Sequence, residues 1–144
     1  WSQVSSKIIK TGKVLSLDIK KMEKLDNVSF LQCDFLEKGT KEKILKFFKE
    51  KLDVVLSDMA ANTTGNKSLD CIRTNQLCAD VVEFSSKILK PNGVLVSKLF
   101  MGDDFLEVKE LAKSMFKKVE FFKPKSSRNE SKETYLHCVT LRTL

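Results

Sequence analysis

A chain of 144 residues with 42% hydrophobic and 31% charged residues has the length and composition of one globular domain with a sizeable core. None of its apolar runs approaches the roughly 18 residues of a membrane span, which excludes a transmembrane helix. The formal net charge of +7, from 26 basic and 19 acidic residues, points to an anionic partner. Residues 113–144 hold eight Lys/Arg against three Glu, so +5 of that charge lies in the last stretch. A solvated lysine-rich surface is the plain alternative, but clustered charge favours nucleic acid. The four cysteines form no CxxC and have no metal-ligand spacing with the single His137, so neither a zinc site nor a disulfide framework is expected. That usage fits a reduced, intracellular protein.

In chain order, Trp1, Val4 and Ile8 have helical spacing, and Thr11-Gly12 is a helix stop. Val14–Asp18 reads as a buried strand ending in an acid, and Val28–Gln32 as a second strand followed by Cys33-Asp34. Thr40 is a candidate cap for a helix with Ile44, Leu45, Phe48 and Leu52 on one face. Val54–Asp58 is a continuous apolar run suited to a parallel strand covered on both faces. After the polar stretch 61–67 comes a helix with the stripe Leu77, Val81, Phe84 and Ile88, ended by Pro91-Asn92-Gly93. Val94–Lys98 is the fourth strand. A helix capped by Asp103 or Asp104 then carries Phe105, Val108, Ala112 and Met115 inward. Val119–Phe122 and Glu133–Leu141 are the last strands, joined by a loop with no helical pattern and therefore expected to be antiparallel. The alternation predicts an α/β fold with a doubly wound, mostly parallel sheet, as one domain over 1–144.

Open α/β sheets place ligands at the carboxyl ends of their strands. Asp18, Asp34 and Asp58 all occupy such ends. Asp18 is suited to accept hydrogen bonds from ribose hydroxyls, and Asp34 from an adenine amine. Each alone is equally a helix cap or a loop turn; three in succession argue for a ligand edge. Lys98 ends an apolar strand with its stem in the core edge, and Glu133 opens the last strand. Lys98 reads as a base or an electrostatic anchor, with a snorkelling lysine as the structural alternative.

The strings Trp1-Ser-Gln3, Leu31–Phe35, Leu56-Ser-Asp-Met-Ala60, Asn62–Gly65, Val96-Ser-Lys-Leu-Phe100, Lys123-Pro-Lys-Ser-Ser-Arg128 and Glu133-Thr-Tyr135 resemble the FtsJ/RrmJ family in order and spacing along the whole chain. These are S-adenosylmethionine-dependent 2′-O-methyltransferases of large-subunit ribosomal RNA. The resemblance implies a Rossmann-like methyltransferase fold with an antiparallel last strand. It implies a Lys-Asp-Lys-Glu tetrad whose Asp, second Lys and Glu are Asp58, Lys98 and Glu133. Lys98 is then the proton acceptor for a ribose 2′-hydroxyl, with Asp58 and Glu133 orienting it. Cofactor contacts map onto Trp1, Asp18, Asp34 and Asp58. The substrate implied is a uridine of large-subunit (23S-type) rRNA, met on the assembling ribosomal particle.

In that reading Lys123, Lys125, Arg128 and Lys132 flank Glu133 and draw RNA phosphates towards the tetrad. Ser126 and Ser127 either donate to phosphate or shape a turn, and Tyr135 either stacks on a base or packs in the strand. His137 reads as structural. The family's first Lys and its first strand with the glycine-rich loop lie upstream of Trp1, so both are expected to be missing here. Weak cofactor binding by the chain alone follows from that expectation. A monomer in the cytoplasm is expected, with an organelle such as the mitochondrion as the runner-up, and neither membrane nor metal is implied. The alternative function is a catalytically inactive RNA-binding ribosome-assembly factor on the same scaffold.

Overall fold

A computed structural model of the chain describes every residue except 103, 126, 129, 143 and 144. The expectations placed on Asp103 and Ser126 therefore lie outside the described residues. The chain divides into two compact units, Trp1–Glu50 and Lys51–Leu144.

The first unit contains α1 (Ser2–Ile8), β1 (Val14–Asp18), β2 (Val28–Gln32) and α2 (Thr40–Phe48). β1 and β2 pair in parallel from Val14 opposite Val28 to Asp18 opposite Gln32. Ser16 Oγ donates to Ser2 Oγ at 2.7 Å, which ties α1 to β1. The chain turns into β1 through Gly12 at φ +115°, a conformation open to glycine. The helical spacing of Val4 and Ile8 does fall on α1, with both side chains exposed, at 59% and 71%. The expected cap of α2 needs correction. Thr40 is not the cap of α2, because Gly39 takes that position with left-handed backbone. Thr40 is instead the first helical residue, fully buried, and its hydroxyl donates to Asp34 O at 2.8 Å. Of the apolar face expected for α2, Ile44 is buried, Leu45 is exposed and Leu52 belongs to the next strand.

The second unit contains β3 (Leu52–Ser57), α3 (Lys67–Ile88), β4 (Leu89–Phe100), α4 (Phe105–Met115), β5 (Phe116–Phe122) and β6 (Glu133–Leu141). Its sheet has the order β3-β4-β6-β5. β3 runs parallel to β4, and β6 is antiparallel to both its neighbours. The mixed α/β class with an antiparallel last strand is thus the one the sequence predicts. Side chains alternate across the sheet: Leu95, Leu99, Leu136 and Cys138 are fully buried. α3 and α4 pack against each other and against β4 and β5, bringing Val81, Val82, Ile88 and Ala112 into the core.

The third strand is not covered on both faces. β3 is an edge strand of its sheet, and Val54 and Leu56 stand about half exposed. β4 also begins five residues before the expected Val94. Leu89 already pairs with Leu52, and the register shifts before Val54 meets Val94, so the intervening Pro91–Gly93 is absorbed as an irregularity. Gly93 is required there: a Cβ would come within 2.9 Å of Leu89 Cβ and of Lys90 O.

Candidate active site

The parallel pairing of β3 with β4 stops at Ser57 opposite Ser97, so Asp58 and Lys98 come next on the two segments. β4 does not end at Lys98, as its apolar pattern predicts, but runs on to Phe100 because β6 continues to pair with it. β6 runs the other way and brings its first residue to the same place, with Glu133 opposite Phe100 and Tyr135 opposite Lys98. Lys98 Nζ stands 3.4 Å from Glu133 Oε2, and the lysine side chain is only 16% exposed. The other carboxylate oxygen, Oε1, accepts from the Tyr135 hydroxyl at 3.2 Å. Burial pushes the Tyr135 phenol up to about 12, and the neighbouring carboxylates of Glu133 and Asp58 add to the shift. Asp58 itself is exposed.

Beyond Asp58, hydrogen bonds tie the loop to α3. Ala61 N–H donates to the buried Thr74 Oγ1 at 3.1 Å. The Thr64 hydroxyl and N–H both donate to Asp70 Oδ1, at 2.7 and 2.9 Å, and the hydroxyl bond leads in holding that carboxyl below its ordinary range. Asn66 caps α3, its side chain accepting from Ser68 N and Leu69 N.

The cationic loop 123–132 joins β5 to β6. Lys125, Arg128 and Lys132 are exposed, and Lys132 precedes Glu133 directly. Lys123 Nζ donates to Ser131 O at 2.6 Å, closing the base of the loop. Ser127 N–H donates to Pro124 O, so Ser127 shapes a turn at least through its backbone. His137 Nδ1 lies 3.6 Å from Glu120 Oε2 on the sheet.

The remaining residues singled out belong to the first unit. Cys33 N–H donates to Asp18 O at 3.0 Å, which sets Asp34 beside the end of β1. Asp18 Oδ1 accepts from Lys20 N–H and Asp34 Oδ1 from Leu36 N–H, both at 2.8 Å. Each carboxylate is therefore fixed in direction by its own backbone and keeps its second oxygen for another donor. Trp1 stands at the amino end of α1, about half exposed. Two exposed, anchored acceptors at adjacent parallel strand ends suit the ribose diol and amine of a nucleoside. The first unit thus brings Asp18 and Asp34 together, and the second brings together Asp58, Lys98, Glu133 and Tyr135, with Lys132 next to Glu133 in the chain. Sequence reasoning left the role of Tyr135 open and gave no weight to Asn75, whose contacts are described below.

The model of the FtsJ-like methyltransferase family matches residues 1–141. The chain belongs to that family. Ribosomal RNA large subunit methyltransferase E of Pelagibacter ubique is 46% identical over 142 residues, covering 99% of this chain and 70% of that protein. The enzyme of the same name from Rickettsia akari is also 46% identical, over 94% of this chain and 63% of its own length. The chain thus spans about two thirds of these relatives. Among solved structures, one described as a ribosomal RNA methyltransferase from Plasmodium falciparum superposes with a TM-score of 0.85 at 27% identity, covering 98% of this chain and 80% of that one. Among the described residues, no helix is long and apolar enough to cross a membrane.

Proposed function

We propose that this FtsJ-like chain carries the catalytic residues of an S-adenosylmethionine-dependent enzyme that methylates a ribose 2′-hydroxyl in large-subunit ribosomal RNA, at a uridine. The observation that carries this reading is the amine of Lys98, largely buried where the β3–β4 pairing stops and held 3.4 Å from Glu133 Oε2. An alcohol is a poor nucleophile until its proton has somewhere to go, and a fixed amine beside the hydroxyl provides that place. Lys98 Nζ takes the 2′-hydroxyl proton. Glu133 keeps the lysine aimed and compensates its charge once protonated, and Asp58, on the adjacent strand end, adds a second compensating carboxylate. S-adenosylmethionine, when bound, supplies an electrophilic methyl group on a positively charged sulfur.

Within the first unit, Asp18 and Asp34 hold the donor's nucleoside through their second carboxylate oxygens, and Trp1 offers it an apolar surface. Lys123, Lys125, Arg128 and Lys132 bind phosphates of the RNA and bring a ribose over Lys98. The relatives' printed names support ribosomal RNA as the substrate. The reading includes a monomer that needs no metal and works in the bacterial cytoplasm on the assembling large subunit.

The test is methyl transfer from radiolabelled S-adenosylmethionine to under-methylated large-subunit particles by the complete protein and its Lys98→Ala variant. Loss of transfer with RNA binding retained is the expected result. Undiminished transfer by the variant overturns the role of Lys98. RNA binding by the unmodified protein with no transfer at all makes it an assembly factor on an enzyme scaffold.

A further inference from the structure

Phe100 lies two residues past Lys98 and directly opposite Glu133. The antiparallel ladder alternates, and Met101 N–H donates across it to Lys132 O at 2.8 Å. The N–H and C=O of Phe100 therefore point the other way, towards the side on which β3 would lie. β3, however, stops pairing at Ser57 opposite Ser97. Both backbone groups of Phe100 would be left without a strand partner at the edge of the core, which is costly for buried polar groups.

Asn75 of α3 fills that place. Its Oδ1 accepts from Phe100 N–H at 2.8 Å, and its Nδ2 donates to Phe100 O at 2.9 Å. The second Nδ2 proton goes to Asp104 Oδ1, also at 2.9 Å. The side chain is fully buried and both ends of its amide are in use. The carboxamide thus imitates one residue of a missing neighbour strand. It also diverts Asp104: this residue stands at the N-cap of α4 but makes no side-chain capping bond. Gly102, between Phe100 and Asp104, lets the turn lie against α3, where a Cβ would come within 3.4 Å of Cys71 Cβ.

We infer that Asn75 is a positioning residue for the Lys98–Glu133 pair, acting through the backbone of Phe100. This rests on the function proposed above. Without the clamp the end of β4 is held only by β6, and Lys98 keeps its ion pair but loses its fixed aim at the substrate hydroxyl. A misplacement on the scale of an ångström is worth up to about a hundredfold in rate.

The experiment compares the complete protein with its Asn75→Ala variant, and with Asn75→Ser should the first not fold, since a serine hydroxyl serves only one backbone group at a time. Four quantities are read: kcat and KM for methyl transfer, the dependence of kcat on pH, and the spectrophotometric midpoint of the Tyr135 phenol, which is bonded to Glu133. Positioning predicts kcat down by about 10- to 100-fold with KM values within about threefold. It also predicts a displaced kcat–pH profile and a displaced Tyr135 midpoint, since the Glu133 carboxylate contributes to the raised phenol. A folded variant with normal kcat and an unmoved Tyr135 midpoint overturns the inference, even if its melting temperature falls. If the unmodified protein transfers no methyl group, the proposed function fails separately, and the Tyr135 midpoint alone decides whether Asn75 positions the pair.

Discussion

Lys98 and Tyr135 stand directly opposite one another across the β4–β6 ladder, and both side chains turn to Glu133, one to each carboxylate oxygen. The pair is one of the closely spaced, non-hydrogen-bonded pairs of an antiparallel ladder, so the two side chains emerge near each other on the same face. Glu133 is consequently braced from one side while it holds the lysine from the other. A carboxylate with a single partner rotates about its last bond; with two partners on separate oxygens it has one orientation, and so has the amine it pairs with.

The phenol reports on this arrangement. Tyr135 is the only tyrosine in the chain, so its phenolate absorbance is free of overlap from others. The expected midpoint is about 12. The unfolded chain titrates near 10, so the folded state holds the proton more tightly. The associated stability is complete below about pH 10 and is lost as pH rises towards 12. Glu133→Gln should move the midpoint down without restoring the ordinary value, since burial is the largest cause and remains. An unchanged midpoint in that variant would mean that the carboxylate does not act on the phenol.

Lys98→Arg separates charge from proton transfer. A guanidinium can keep an ion pair with Glu133 but stays protonated at any working pH and cannot accept the 2′-hydroxyl proton. The expected outcome is a loss in kcat of about 10²- to 10⁴-fold, typical of removing a positioned base. RNA affinity should change little. Retained turnover would reduce Lys98 to an electrostatic anchor.

Lys125 and Arg128 are exposed on the β5–β6 loop. Replacing either by Ala should weaken RNA binding across sequences and reduce the slope of log affinity against log salt by about 1. Methyl transfer at saturating RNA should persist. A changed sequence preference with an unchanged salt slope would instead make them base readers.

Two core positions allow the packing to be tested by chemical denaturation. Ser85 is fully buried on α3 and its hydroxyl has no hydrogen-bond partner among the described residues. Ser85→Ala should stabilise the second unit by about 1 kcal/mol, by removing a dry hydroxyl and improving helix propensity. Gly93→Ala should destabilise by about 1–3 kcal/mol, because one of the atoms its Cβ would strike is the Lys90 backbone carbonyl oxygen.

Where the chain's chemistry is periodic, its fold was legible in advance. Val14–Asp18, Val28–Gln32 and Glu133–Leu141 are bounded in the structure as their patterns predict. The same patterns set Asp58 and Glu133 at strand ends, and pairing then brings them to Lys98, although β4 runs two residues past that lysine. Pro91 and Gly93 misled, because a breaker pair reads as the end of one element when a bulge can carry it inside the next. The exposure of Val54 and Leu56 was equally invisible: an apolar run specifies a strand, but not whether that strand is flanked. Asn75 left no trace, since nothing in a helical stripe distinguishes an amide facing solvent from one completing the hydrogen bonds of a strand. Tyr135 was half visible as an aromatic in a strand, but its hydrogen bond depends on cross-strand register.

The sheet order β3-β4-β6-β5 makes β4 and β6 its two interior strands, and these carry Lys98 and Glu133. Interior strands open last in local unfolding, whereas surface loops open at little cost. The Lys98–Glu133 pair is therefore mounted on the interior strands of its unit, while the exposed cations Lys125, Arg128 and Lys132 lie on the connection that leads into β6. In the proposed function those cations hold the RNA and the interior strands hold the pair. Capture and chemistry are then assigned to different segments of one connection, separated by the single step from Lys132 to Glu133.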